Sequence, residues 1–115
     1  MIKVMWFLKR ADHLLLQVFL KWWVEVHALV IVEVQKNRLR KYAINLRWPN
    51  DTLPDKPPTE IDWDGCAEQW FETEADFEAV YGPPTPGPMR TDAVSYVSRR
   101  ARMIVRESLI QTAYA

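Results

Sequence analysis

At 115 residues, 49% hydrophobic and 26% charged, the chain has the mass for one hydrophobic core in a single domain and too much apolar character for extended disorder. Fifteen basic residues against fifteen acidic ones leave no net field to draw in nucleic acid or an anionic membrane. The lone cysteine, Cys66, excludes an intrachain disulfide and any multi-cysteine metal site, and the composition fits a soluble, cytoplasmic protein.

Residues 2–8, IKVMWFL, are apolar on both pleat faces and predict a strand covered on both sides. The segment is too short for a signal peptide and carries Lys3. Asp12 offers an N-cap for a helix over residues 14–35, firm to about residue 28 and strand-like in the VIVEV run beyond it. Lys21, Glu25, His27 and Glu33 argue against a membrane span there, which needs ~20 mostly apolar residues. Residues 39–48 alternate as a second strand, and Lys36, Arg38, Arg40 and Lys41 around its start read as a solvated basic face. Four prolines in 49–61 predict a loop, 66–72 a third strand, and 73–81 a short helix capped by Thr73. The breaker at 82–88 precedes a predicted helix over 90–100, with Val94 and Val97 inward, and a last strand over 101–110. The order β-α-β-β-α-β is that of an α+β, ferredoxin-like monomer. Its bare sheet face calls for a second copy packed sheet to sheet, so a homodimer is expected.

At 100° per residue the long helix is apolar on two sides. Leu16, Phe19, Leu20, Trp23, His27, Val30 and Val34 form the expected inner stripe, while Leu15, Val18, Trp22, Leu29 and Val32 gather on the outer side. The outer five are candidate interface residues, because leaving them in water costs about 25 cal/mol per Å² of apolar surface. His27 is the inner stripe's ionisable group. A cleft between helix and sheet is expected around it, with Tyr42 and Gln69 as polar points and Phe7, Trp23, Trp70 and Phe71 as lining. An imidazole there could move a proton, while Tyr42 and Gln69 orient a carbonyl or hydroxyl. Glu68 reads as a paired or rim carboxylate and His13 as an exposed side chain. Two histidines fourteen positions apart, with no clustered carboxylate, predict no metal, and three glycines without a phosphate loop predict no nucleotide or other cofactor.

Several segments together resemble the EthD family of the dimeric α+β barrel superfamily. They are MIKVMWFLKR, the F-x-x-W-W-x-x-x-H-A run from Phe19 to Ala28, LRKYAINLR, DWDGCAEQWFETEADFEAVYG and RTDAVSYVSRRARMIVRE. The resemblance spans residue 1 to about residue 110. It implies a ferredoxin-like monomer paired through its sheet, with a pocket between sheet and helices. His27, Tyr42 and Gln69 also stand where a relative in the superfamily, methylmuconolactone isomerase, has a helix histidine, a strand tyrosine and a strand cysteine. Gln69 in place of that cysteine leaves at most a His–Tyr acid–base pair. The chain departs from the family in lacking the proline after the histidine and in placing Leu15 at the usual cap serine.

Two functions are expected from these features. One is lyase- or isomerase-type acid–base chemistry on a small apolar or polyketide-like ligand. The other is a non-enzymatic assembly module, natural or engineered, that uses the outer helix face for further contact with itself or a partner protein.

Overall fold

A computed structural model of the chain describes residues 1–48, 63–82 and 93–110. The proline-rich stretch 49–61 and the breaker from 83 onward lie outside them. Strand β1 (Ile2–Arg10) is followed by helix α1 (Leu16–Trp22), a π-helical turn (Trp23–His27), helix α2 (Ala28–Gln35) and a 3-10 turn (Lys36–Arg38). Strands β2 (Lys41–Leu46) and β3 (Gly65–Phe71), helix α3 (Glu74–Tyr81) and strand β4 (Val97–Arg106) complete the order. The strands form one antiparallel sheet, β2-β3-β1-β4. This is the α+β, β-α-β-β-α-β arrangement with both central strands far apart in sequence.

Period-2 alternation assigns the two faces. Val4, Trp6 and Leu8 of β1 and Ala67, Gln69 and Phe71 of β3 point to the helices, and their neighbours Lys3, Met5, Phe7, Cys66, Glu68 and Trp70 point away. The helix side holds two apolar clusters. Leu8, Phe19, Trp22, Trp23, Ala67 and Ala93 make one, and Val4, Ile31, Phe71 and Val80 the other. Trp6 and Tyr42 flank both. Buried Asp64 pins the entry to β3 against the end of β1: its carboxylate accepts from the Arg10 backbone N–H (2.8 Å) and Nη1 (2.7 Å). Gly65 follows because the Trp23 ring lies on it; a Cβ there would stand 2.7 Å from Cζ3.

Four expectations need correction. The helix does not weaken after residue 28 but runs on to Gln35, because Ile31 and Gln35 are buried against the sheet and packing overrides the β-branched propensity of VIVEV. It starts after Leu15, which has no side-chain cap, rather than at Asp12. Ala93 is helical, residues 94–96 form a turn and strand β4 begins at Val97, so the helix expected over 90–100 does not continue past Ala93, and Val94 is exposed rather than inward. Pairing with β1, Val97 opposite Arg10, decides the matter. Trp22 is buried, 4% exposed, instead of lying on the outer face.

The helix geometry explains Trp22. The buried positions Phe19, Trp23, His27, Ile31 and Gln35 are spaced by four. In a regular α-helix such a series drifts by about 40° per step. The π turn, with its i→i+5 bonding and more residues per turn, takes part of that drift back. The inner line is therefore rotated from the one expected: Trp22 comes in, and Ile31 and Gln35 take the buried positions, with Val34 packed half-buried beside them. Leu15, Val18, Leu29 and Val32 stay exposed. Thr73 caps α3 as expected, accepting the Asp76 backbone N–H at 3.1 Å. No helix among the described residues is long and apolar enough to cross a membrane.

Candidate functional site

Between the two apolar clusters lies a cavity of about 260 Å³. Helix residues Trp23, His27 and Ile31 close one side, and Trp6, Leu8, Tyr42, Ala67 and Gln69 of the sheet close the other. Tyr81, Ala93, Val97, Arg100 and Arg102 complete the wall. The structure thus brings His27, Tyr42, Gln69 and Trp23 to one cavity.

Three expected lining residues are elsewhere. Phe7 lies on the face of the sheet turned from the helices, its ring 6.0 Å from that of Trp63. Trp70 shares that face: Lys3 and Lys41 stand 5.0 and 4.5 Å from its ring, and its indole donates to Glu107 Oε1 at 3.2 Å. Both have the wrong pleat parity for a helix-side pocket. Phe71 has the right parity but is fully buried among Val4, Ile31, Phe77 and Tyr81 and does not reach the cavity.

His27 is held by stacking. Its ring lies 4.9 Å from Trp22 at 25°, and Trp22 lies 4.5 Å from Tyr96 at 3°. Trp22 and His27 are five residues apart, the spacing a π turn superposes. Opposite them, Tyr81 Oη donates to Gln69 Oε1, and the Trp6 indole donates to Tyr81 Oη at 3.0 Å. Gln35 Nε2 donates to the same Gln69 oxygen at 3.4 Å. An amide oxygen has two lone pairs, so Gln69 is left with its NH₂ group to offer. Burial pushes the Tyr42 hydroxyl well above its ordinary pKa; neighbouring Tyr81 adds to the rise, and the Trp23 indole beside it offsets a part. Burial also raises Tyr81, against its hydrogen bonds with Trp6, Gln35 and Gln69. Both phenols therefore stay protonated at neutral pH and act as hydrogen-bond donors or acceptors, not as bases. Of the side-chain types in the wall, an imidazole is the one suited to exchanging protons near neutrality.

Tyr81, Gln35, Trp6, Arg100 and Arg102 were not foreseen as site residues. The series 19-23-27-31-35 carried the signal for Gln35. The alternation of Arg100 and Arg102 was hidden because 90–100 reads equally as a helix. Cys66 lies on the far face, and burial, with Glu68 beside it, pushes its thiol up to about 11. It is a poor nucleophile there. Glu68 is paired as expected, accepting from Lys3 Nζ at 2.6 Å and Asn45 Nδ2 at 2.7 Å. In the basic cluster, Arg40 pairs with Glu72 at 3.0 Å.

The EthD domain profile matches residues 11–86. Among solved structures, the chain is similar to an EthD family protein of Bacillus halodurans (TM-score 0.69, 14% identity, 94% of this chain and 99% of that one). It is similar to an EthD-like protein of Ralstonia eutropha (TM-score 0.68, 14% identity, 96% and 95%). A ferredoxin-like protein of unknown function from Thermobifida fusca, described as dimeric, also matches (TM-score 0.56, 13% identity, 90% and 88%). No protein with a curated description matches.

Proposed function

The chain belongs to the EthD domain family, and from that membership we propose that it is a homodimeric pocket protein performing lyase- or isomerase-type acid–base chemistry on a small, apolar-bodied, polyketide-like substrate. The observation that carries this reading is the convergence of His27, Tyr42, Gln69 and Tyr81 on one apolar cavity. His27 removes a proton from carbon beside a carbonyl. The Tyr42 hydroxyl and the Gln69 NH₂ donate to the oxygen on which charge develops. Returning the proton to another carbon completes an isomerisation; loss of a neighbouring hydroxyl as water completes an elimination. The exposed sheet face, with Met103 at 52% exposure, supports pairing of two copies, as does the dimer described for the Thermobifida fusca protein.

A probe with acidic C–H bonds tests the chemistry without knowledge of the natural substrate. The protein should accelerate deuterium uptake from D₂O into a bicyclic ketone such as 1-tetralone. His27→Ala should slow that exchange by about 10²-fold or more while still binding the ketone, read by tryptophan fluorescence. Exchange at an equal rate in His27→Ala rejects the proposed base.

A second reading rests on the outer helix face, where Leu15, Val18, Leu29 and Val32 remain exposed, Leu29 at 65%. In this reading the face packs on another protein surface. It has lost Trp22 from its centre, and Lys21 and Glu25 stand close along it at 4.0 Å.

A further inference from the structure

We infer that the cavity takes a ligand with a flat apolar body and an oxyanionic head, a carboxylate or an acidic enol, and that Arg100 and Arg102 receive that head. The inference rests on the pocket reading above and specifies its ligand. Arg100 and Arg102 are two apart on β4, on the helix side of the sheet, with their Cα atoms about 7 Å apart. Both belong to the cavity wall, and among the described residues of that wall there is no aspartate or glutamate.

Neither arginine has a carboxylate partner among the described residues. Among the described residues the acidic side chains in ion pairs face other cations: Glu68 and Glu107 meet Lys3, Asp64 meets Arg10, Glu25 meets Lys21 and Glu72 meets Arg40. Arg102 is held at the wall, its guanidinium 5.6 Å from the centre of the Trp6 ring, an arrangement that orients a planar cation over an aromatic face.

The rest of the lining matches an anion as well. The Gln69 NH₂ donates, and the Tyr42 hydroxyl keeps its proton because of burial. A cationic ligand would find no counter-charge in this wall. A fully neutral one would leave both guanidinium groups without a carboxylate partner among the described residues. A carboxylate or enolate answers both, through the forked geometry with which guanidinium binds planar anions. The indole rings of Trp6 and Trp23 are there for the body.

Two probes of one shape separate the claims: 2-naphthoate and the uncharged 2-naphthamide, titrated into the full chain and followed by tryptophan fluorescence and calorimetry. The wild-type protein should bind 2-naphthoate at least tenfold more tightly than 2-naphthamide. Arg102→Gln and Arg100→Gln should each remove most of that preference, lowering 2-naphthoate affinity far more than that of 2-naphthamide. Arg99→Gln, whose guanidinium lies 5.4 Å from the Trp63 ring on the other face, should leave the preference intact. Equal affinities in the wild type, or a preference that survives the double Arg→Gln variant, overturn the anion inference while the pocket stands. Binding of neither probe overturns the pocket reading and this inference with it. Both arginines are exposed, so the variants should fold, and an unchanged circular dichroism spectrum checks that they do.

Discussion

Lys3 is the most enclosed lysine or arginine among the described residues, and its surroundings set a pH dependence. Hydrogen bonds to Glu107 and Glu68 raise its pKa, against the opposing effect of burial. Burial pushes the Glu68 carboxyl up, but hydrogen bonds from Lys3 and Asn45 outweigh it and hold the group below the usual carboxylate range. A carboxyl depressed by folding contributes stability that is complete above its unfolded pKa of about 4.3 and is lost as pH falls through the lower folded value. A raised amine contributes stability that is complete below about 10.4 and is lost as pH climbs through the higher folded value. Glu68→Gln should therefore lower the urea midpoint at pH 7, and its difference from wild type should shrink between about pH 4 and the acid limit. A difference that stays constant from pH 7 into strong acid would show that the pair contributes nothing. This cluster lies on the sheet face away from His27, so the same substitution should leave ketone exchange unchanged.

At the scale of elements, the π turn and the start of β3 meet closely beside the cavity. A methyl group at Gly65 would stand 2.7 Å from Trp23 Cζ3 and 2.5 Å from the Asn45 carbonyl oxygen, contacts that force the helix or the strand to shift. Gly65→Ala should cost about 1–3 kcal/mol in urea denaturation, and it should weaken binding of 2-naphthoate as Trp23 moves. A stable, fully binding variant would mean that the turn adjusts freely. The strands and the Thr73 cap were legible because period-2 alternation and a side-chain cap are local signals. The π turn was not, since a wheel drawn at one fixed angle cannot contain a change of pitch. That fixed angle put Trp22 outside and left Ile31 and Gln35 off the inner stripe. The start of strand β4 was hidden for a different reason: AVSYVSRR fits two periods, and the choice is made by β1, about ninety residues earlier. His27, Tyr42 and Gln69 could be read together because each sits well inside an element whose face was right. Phe7 and Trp70 were aromatic residues assigned by type where pleat parity rules.

At the scale of the molecule, the two proposed modes of association predict different masses. Pairing through the sheet should give a light-scattering mass of twice the 13.6 kDa chain. Met103→Glu, on the exposed face of β4, should reduce it to the monomer. Leu29→Glu with Val18→Glu should leave that dimer intact. A wild-type mass above the dimer that this double variant returns to it supports the outer-face reading instead, and a wild-type monomer rejects both. The π turn has a further bearing on how the chain compares with its relatives. An i→i+5 turn holds one more residue than an i→i+4 turn, so Trp23–His27 amounts to an insertion taken up by the backbone. Deleting Val24, Glu25 or Val26 would leave Phe19 and Ile31 on the same side and turn the Trp22–His27 stack into an ordinary i+4 pair. In a chain shortened there, the histidine moves one column in an alignment without moving in space. The position of the imidazole is written in the number of residues between Trp22 and Ile31 as much as in their identities.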